Sequence, residues 1–179
     1  MRHLLTSFLL LFAINSLIAD SNASSKSEKI HYVETVQSLG ELFHRFEGKV
    51  IYVDFWAPWC SPCVKAMQKA GAMDEYFEKH DIVRLYISIE KNTDNEQKRA
   101  DKVQNWELII NQNQVAGHHY YAELKTVLFD EIIDNFMRRK LSLPWYAIIN
   151  KHGVIVDPNA PDMHKPEKLE RKLSKYLNE

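Results

Sequence analysis

Apolar positions along the chain switch between a helical period and short unbroken runs, and the switches mark out the elements. Val36, Leu39, Leu42, Phe43 and Phe46 recur at helical spacing over 36–46, after a short candidate strand at 30–33. Residues 50–55 form a nearly continuous run of β-branched and aromatic side chains, as in a strand buried on both faces, with Asp54 the exception inside it. Val64, Met67, Ala70, Ala72, Met73, Tyr76 and Phe77 predict one long helix, and residues 82–89 return to strand. Thr93 followed by Glu96 reads as a capping box that opens a helix through Trp106 and Ile110. The stretch 115–121 around Gly117 reads as either a linker or a short strand. Leu124, Val127, Leu128, Ile132 and Phe136 resume a helical period, with Arg138, Arg139 and Lys140 at its negative end. Pro144 introduces a strand over 145–150, Lys151-His152-Gly153 makes a hairpin turn, and a strand follows at 154–156. Pro166 opens a last helix whose buried stripe is Leu169, Leu173, Tyr176 and Leu177. The order β-α-β, helical insert, β-β-α defines one α/β domain over 30–179 with a central sheet flanked by helices.

Residues 1–23 stand apart from this pattern. Arg2 and His3 precede an uncharged stretch from Leu4 to Ala19, then Ser21-Asn22-Ala23, which together read as a signal peptide cleaved near Ala23. The stretch falls short of the roughly 20 apolar residues that span a bilayer, so cleavage is expected over stable membrane insertion. Residues 24–29 read as a flexible polar leader. Across the chain, 23 Lys and Arg are scattered among 24 Asp and Glu. Such a balance offers no broad field for nucleic acid or acidic membranes, so recognition must rest on local chemistry.

That chemistry concentrates where the 50–55 strand ends, at Trp59-Cys60-Ser61-Pro62-Cys63, which contains both cysteines of the chain. A C-x-x-C between a strand and a helix sets a thiol at the positive helix end, where thiolate is favoured. A bridge across three positions restrains the unfolded chain little, so the pair is suited to exchange more than to stapling. Half of a zinc site is the competing reading, but tetrahedral structural zinc takes four ligands and no second cysteine pair exists. Asp54 is a carboxylate in a buried strand, where its pKa should rise and it can accept and return a thiol proton. His118-His119 invites a metal reading, yet adjacent imidazoles do not easily face one ion, and surface loop histidines are expected instead.

The segment Val53-Asp54-Phe55-Trp56-Ala57-Pro58-Trp59-Cys60-Ser61-Pro62-Cys63, with Pro144 far downstream, closely resembles the active-site pattern of the thioredoxin superfamily. The leader, the insert and residues 143–158 make the chain resemble the TlpA and ResA branch of exported thioredoxin-like proteins. The chain departs from that pattern at Ser61 for glycine, Gln68 for a helix-kinking proline, Ala66 for a glutamate of the cytochrome-maturation branch, and Ser142 for glycine.

The resemblance implies a thioredoxin-like fold in which Cys60 is the exposed nucleophile at a helix start. Cys63, more buried, is the resolving thiol, and Asp54 exchanges its proton. Pro144 corresponds to the family's cis-proline, leaving the Leu143 backbone to pair with an extended client peptide. Trp56, Trp59 and Trp145 are candidates for an apolar rim, with core packing the other role for Trp56 and Trp145. The expected activity is a monomeric periplasmic protein-disulfide oxidoreductase, working on disulfide-containing client proteins and recharged by a membrane thiol donor. No cofactor beyond the cysteine pair is implied. A disulfide oxidase or isomerase and a non-enzymatic peptide- or metal-binding module are the rival readings; no peroxiredoxin-type motif is found.

Overall fold

The computed structural model describes residues 29–137 and 140–178. The predicted signal segment, the leader up to residue 28, and Arg138 and Arg139 lie outside the described residues.

Six strands and six helices follow in the order β1 (Ile30–Tyr32), α1 (Leu39–His44), β2 (Ile51–Trp56), α2 (Ser61–Met67), a 3₁₀ turn (Ala70–Met73), α3 (Asp74–Lys79), β3 (Val83–Glu90), α4 (Glu96–Gln112), β4 (Gly117–Glu123), α5 (Val127–Asn135), β5 (Trp145–Ile149), β6 (Ile155–Asp157) and α6 (Pro166–Leu173). The strands form one sheet ordered β1-β4-β3-β2-β5-β6. Pairs β1/β4, β4/β3 and β3/β2 are parallel, whereas β5 joins β2 and β6 joins β5 antiparallel. The mixed α/β sheet agrees with the predicted class, and the insert between the two halves carries a strand, β4, as well as α4 and α5.

Period-two alternation divides β2 between two cores. Tyr52 and Trp56 face a cluster completed by Cys60, Cys63 and Met67, by Phe77 of α3, by Trp106 and Ile110 of α4 and by Leu169 and Leu173 of α6. Ile51, Val53 and Phe55 face the opposite cluster, with Leu42 and Phe43 of α1 and Leu128, Ile132 and Phe136 at α5. Both faces of β2 and β3 are thus covered, and every residue of the two strands is buried.

Several sequence expectations are corrected. The long helix predicted from Val64 to Phe77 is broken into α2, the 3₁₀ turn and α3. Gly71, a weak helix former, lies in the turn, and Asp74 and Glu75 supply the acidic first turn of a new helix. Periodicity does not detect the break because Met67, Met73 and Phe77 are buried in one cluster across it. The cap of α4 is Asn95, whose side chain accepts a hydrogen bond from the Lys98 N–H at 2.9 Å; Thr93 instead accepts from Asn95. Val127, placed in the apolar stripe of α5, is 70% exposed as that helix's first residue.

The histidine pair is not on a surface loop. His118 and His119 lie in β4, with His119 fully buried, its Nε2–H donating to the Val115 carbonyl 2.8 Å away and its ring stacked on Tyr86 at 4.9 Å. Among the described residues no group of three or more His, Cys, Asp or Glu is arranged to hold a metal ion.

Candidate active site

β2, paired on both sides by β3 and β5, runs from the sheet centre into the cysteine segment and so fixes its position. Ala57 accepts the Cys60 N–H at 2.9 Å, turning the backbone into α2, and Cys60 takes the N-cap position. Pro62 stands in the first turn, where its missing N–H costs no helical bond. Cys60 and Cys63 are joined by a disulfide with Cα atoms 5.3 Å apart. Cys60 Sγ also accepts a hydrogen bond from the Cys63 N–H at 3.3 Å. Cys60 is 7% exposed and Cys63 2%, so both are buried and the first cysteine is far less open than the expected exposed helix start.

Asp54 is 3% exposed, and its Oδ1 has no hydrogen-bond partner among the described residues. Its side chain projects from the same sheet face as Tyr52 and Trp56, which is the face covered by the cysteines. In register it lies between Tyr146 of β5 and Tyr86 of β3, and Tyr86 is in turn beside His119 of β4. Burial among these rings, with no cation paired to it, pushes the Asp54 carboxyl up to about 8. A carboxyl in that range can take up and release a proton near neutral pH.

The Leu143–Pro144 peptide bond is cis, and Pro144 borders an open groove of about 580 Å³ beside α2. Pro62 and Lys65 of α2, Lys69 just past its end, Tyr146 and Asp162 line it. Leu143 is half-buried and bridges both cores.

The three tryptophans separate. Trp59 is 48% exposed beside the disulfide, with Lys91 Nζ 5.8 Å from its ring centre. Trp145 is half-buried and donates to the Pro158 carbonyl. Trp56 is fully buried, which removes it from the predicted rim because the strand directs its ring into the core. Tyr146, Asp162 and Lys91 were not singled out by sequence. Lys65 and Lys69 had a usable signal, since they are spaced four apart over the helix that the cysteines open and the turn that follows it.

A C-x-x-C disulfide at the start of a helix, a buried aspartate in the preceding central strand and a cis-proline beside them, on a mixed sheet of this topology, define a protein of thioredoxin-like fold. The Redoxin family profile matches residues 30–176, and the chain belongs to that family. It is 29% identical over 133 residues to the thioredoxin-like protein YneN of Bacillus subtilis, an alignment covering 71% of this chain and 65% of the relative. Among solved structures, a Bacteroides vulgatus protein described as a thiol-disulfide oxidoreductase superposes with a TM-score of 0.54 at 25% identity, covering 74% of this chain and 81% of the other. The exposed lipoprotein thioredoxin of Streptococcus pneumoniae gives 0.53 at 21% identity, covering 74% and 89%.

Proposed function

We propose that the chain is an extracytoplasmic thiol-disulfide oxidoreductase that reduces disulfides in other proteins. The observation that carries this reading is the Cys60–Cys63 bond at the end of β2, with a partnerless buried carboxyl behind it and an open groove beside it.

In the reduced state the Cys60 thiolate attacks one sulfur of a client disulfide, forming a mixed disulfide and releasing the other client sulfur as a thiolate, which takes a proton. The Cys63 N–H that points at Cys60 Sγ favours its charged form. Asp54 then takes the Cys63 proton, and the Cys63 thiolate attacks Cys60 Sγ. The Cys60–Cys63 bond forms, the second client sulfur leaves, and two electrons have passed to the client. Trp59, Leu143 and Pro144 line the approach for an extended client segment. The oxidised pair is restored by an external dithiol, for which a membrane thiol donor is the candidate because the N-terminal sequence reads as an export signal.

Two substitutions in the full-length chain test the assignment. Cys60→Ser is expected to abolish reduction of a protein disulfide such as insulin, whereas Cys63→Ser accumulates a mixed disulfide visible on a non-reducing gel. Retained turnover in the first, or the absence of the adduct in the second, overturns the roles. The direction is read from the reduction potential against glutathione or dithiothreitol buffers. A value near about −270 mV fits a reductase, and one between about −180 and −120 mV would assign oxidation or isomerisation instead.

A further inference from the structure

Cationic side chains outnumber carboxylates in the groove beside the cysteines. Lys65 and Lys69 are both exposed and line it four residues apart, and neither makes an ion pair among the described residues. The imidazole of His164 lines the same groove. Its one acidic lining residue, Asp162, is already engaged: Oδ1 accepts the His164 N–H at 2.9 Å and Oδ2 lies 3.5 Å from Lys165 Nζ. Lys91 stands over the ring of Trp59, next in sequence to Cys60. This local excess of cations occurs on a chain of net charge −1, so it is a property of the rim and not of the whole surface.

From this we infer that the groove selects clients by charge, taking an extended segment that carries Asp or Glu close to its disulfide cysteine, with Lys65 and Lys69 as the specificity-determining residues. The inference rests on the disulfide-exchange reading above and names the substrate class for it. Spacing sets where the client carboxylates fall. Lys65 lies about 7 Å along α2 from Cys60 at roughly 1.5 Å per residue, and Lys69, in the turn just past the helix end, lies about one helical turn further. An extended client at about 3.3 Å per residue covers those distances in about two to four residues. Exposed cations contribute modestly to affinity and more to encounter rate, so the selection should appear in kcat/KM and weaken with salt.

The test uses disulfide-bridged peptides identical except for Asp, Ser or Lys at two and four residues from the cysteine. With the full-length protein, the acidic peptide is expected to be reduced about tenfold faster in kcat/KM than the basic one at low salt, and the ratio to shrink at high salt. In Lys65→Glu/Lys69→Glu the preference inverts. Equal rates for all flanks, or an unchanged ratio in the double variant, overturn the inference. Binding of the linear peptides with cysteine replaced by serine, followed by fluorescence anisotropy, reads the groove without turnover. Acidic peptides binding tighter, and losing that advantage in the double variant, support charge selection even if no peptide is reduced, an outcome that would sink the exchange reading alone. Equal binding of acidic and basic peptides sinks the inference.

Discussion

Asp54 combines two properties that rarely coexist: it is closed off from solvent, yet its Oδ1 is held by no donor among the described residues. Its elevated pKa comes from burial, not from a like charge, so the carboxylate becomes available as pH approaches about 8. Resolution of a mixed disulfide by Cys63 should therefore speed up with pH and level off near 8. In Asp54→Asn that inflection is expected to vanish, with the rate near pH 8 lowered by about a hundredfold, as for loss of a positioned general base. Stopped-flow reduction of a preformed mixed disulfide from pH 6 to 9 checks this, and coincident profiles would remove Asp54 from the mechanism. The residues at this scale were largely legible in the sequence, because a charge inside an apolar strand and a C-x-x-C after it are local signals. What the sequence hid is which rings face solvent. Trp56 and Trp59 lie three positions apart in one motif, and only the strand's direction separates a buried indole from an exposed one.

β4 shows what local pattern reading misses at the scale of an element. Its sequence begins Gly-His-His-Tyr-Tyr, with neither clean alternation nor a long apolar run, yet it holds β1 to β3. Its strand character comes from partners distant in sequence, which no window around residues 115–121 contains. Gly117 is the reason this strand fits so closely. It adopts φ +142°, and a Cβ there would stand 2.9 Å from Tyr86 Cε2 and 3.0 Å from the Arg84 carbonyl oxygen. The backbone oxygen cannot yield as a flexible side chain does, so Gly117→Ala should lower stability by about 2 kcal/mol, measured by guanidinium denaturation. Because Val33 N–H bonds to the His119 carbonyl at 2.8 Å, its amide-exchange protection should fall in the same variant. Unaltered stability and exchange would show that β4 tolerates the side chain. The broken helix after the cysteines is the converse case: Met67, Met73 and Phe77 of its predicted stripe are buried while Ala72 is exposed, and its interruption left no trace in the period.

Across the whole molecule, the registers of five strands align Tyr146, Asp54, Tyr86, His119 and Tyr32 in one row. Two of its members titrate in opposite senses. Asp54 keeps its proton in the folded state up to about 8, while the unfolded chain releases it near 3.8. The folded state therefore binds more protons between those values, and this contribution, full below about 4, is lost as pH rises to 8. It amounts to about 6 kcal/mol. His119 behaves inversely: burial lowers it from 6.5 to about 4, so the unfolded chain takes up the proton first as pH falls. Its contribution is complete above 6.5 and lost towards 4, at about 3 kcal/mol. His118 is lowered to about 4 by burial, then by His31 and Lys49, and adds a smaller loss in the same direction because it is only half-buried. The opposing slopes should leave the wild type nearly level between pH 4 and 6.5 and falling from 6.5 to 8. Asp54→Asn removes only the carboxyl arm, so its stability should rise from pH 4 to 6.5 and then stay level. The variant should match the wild type near pH 4 and exceed it by several kcal/mol at pH 8. Guanidinium titrations of both proteins across that range decide the matter, and a variant that still loses stability above 6.5 would place the titrating group elsewhere. A carboxyl that costs the fold most at the pH where it is most available as a base adds nothing to stability there, which supports the proton-transfer role proposed for it.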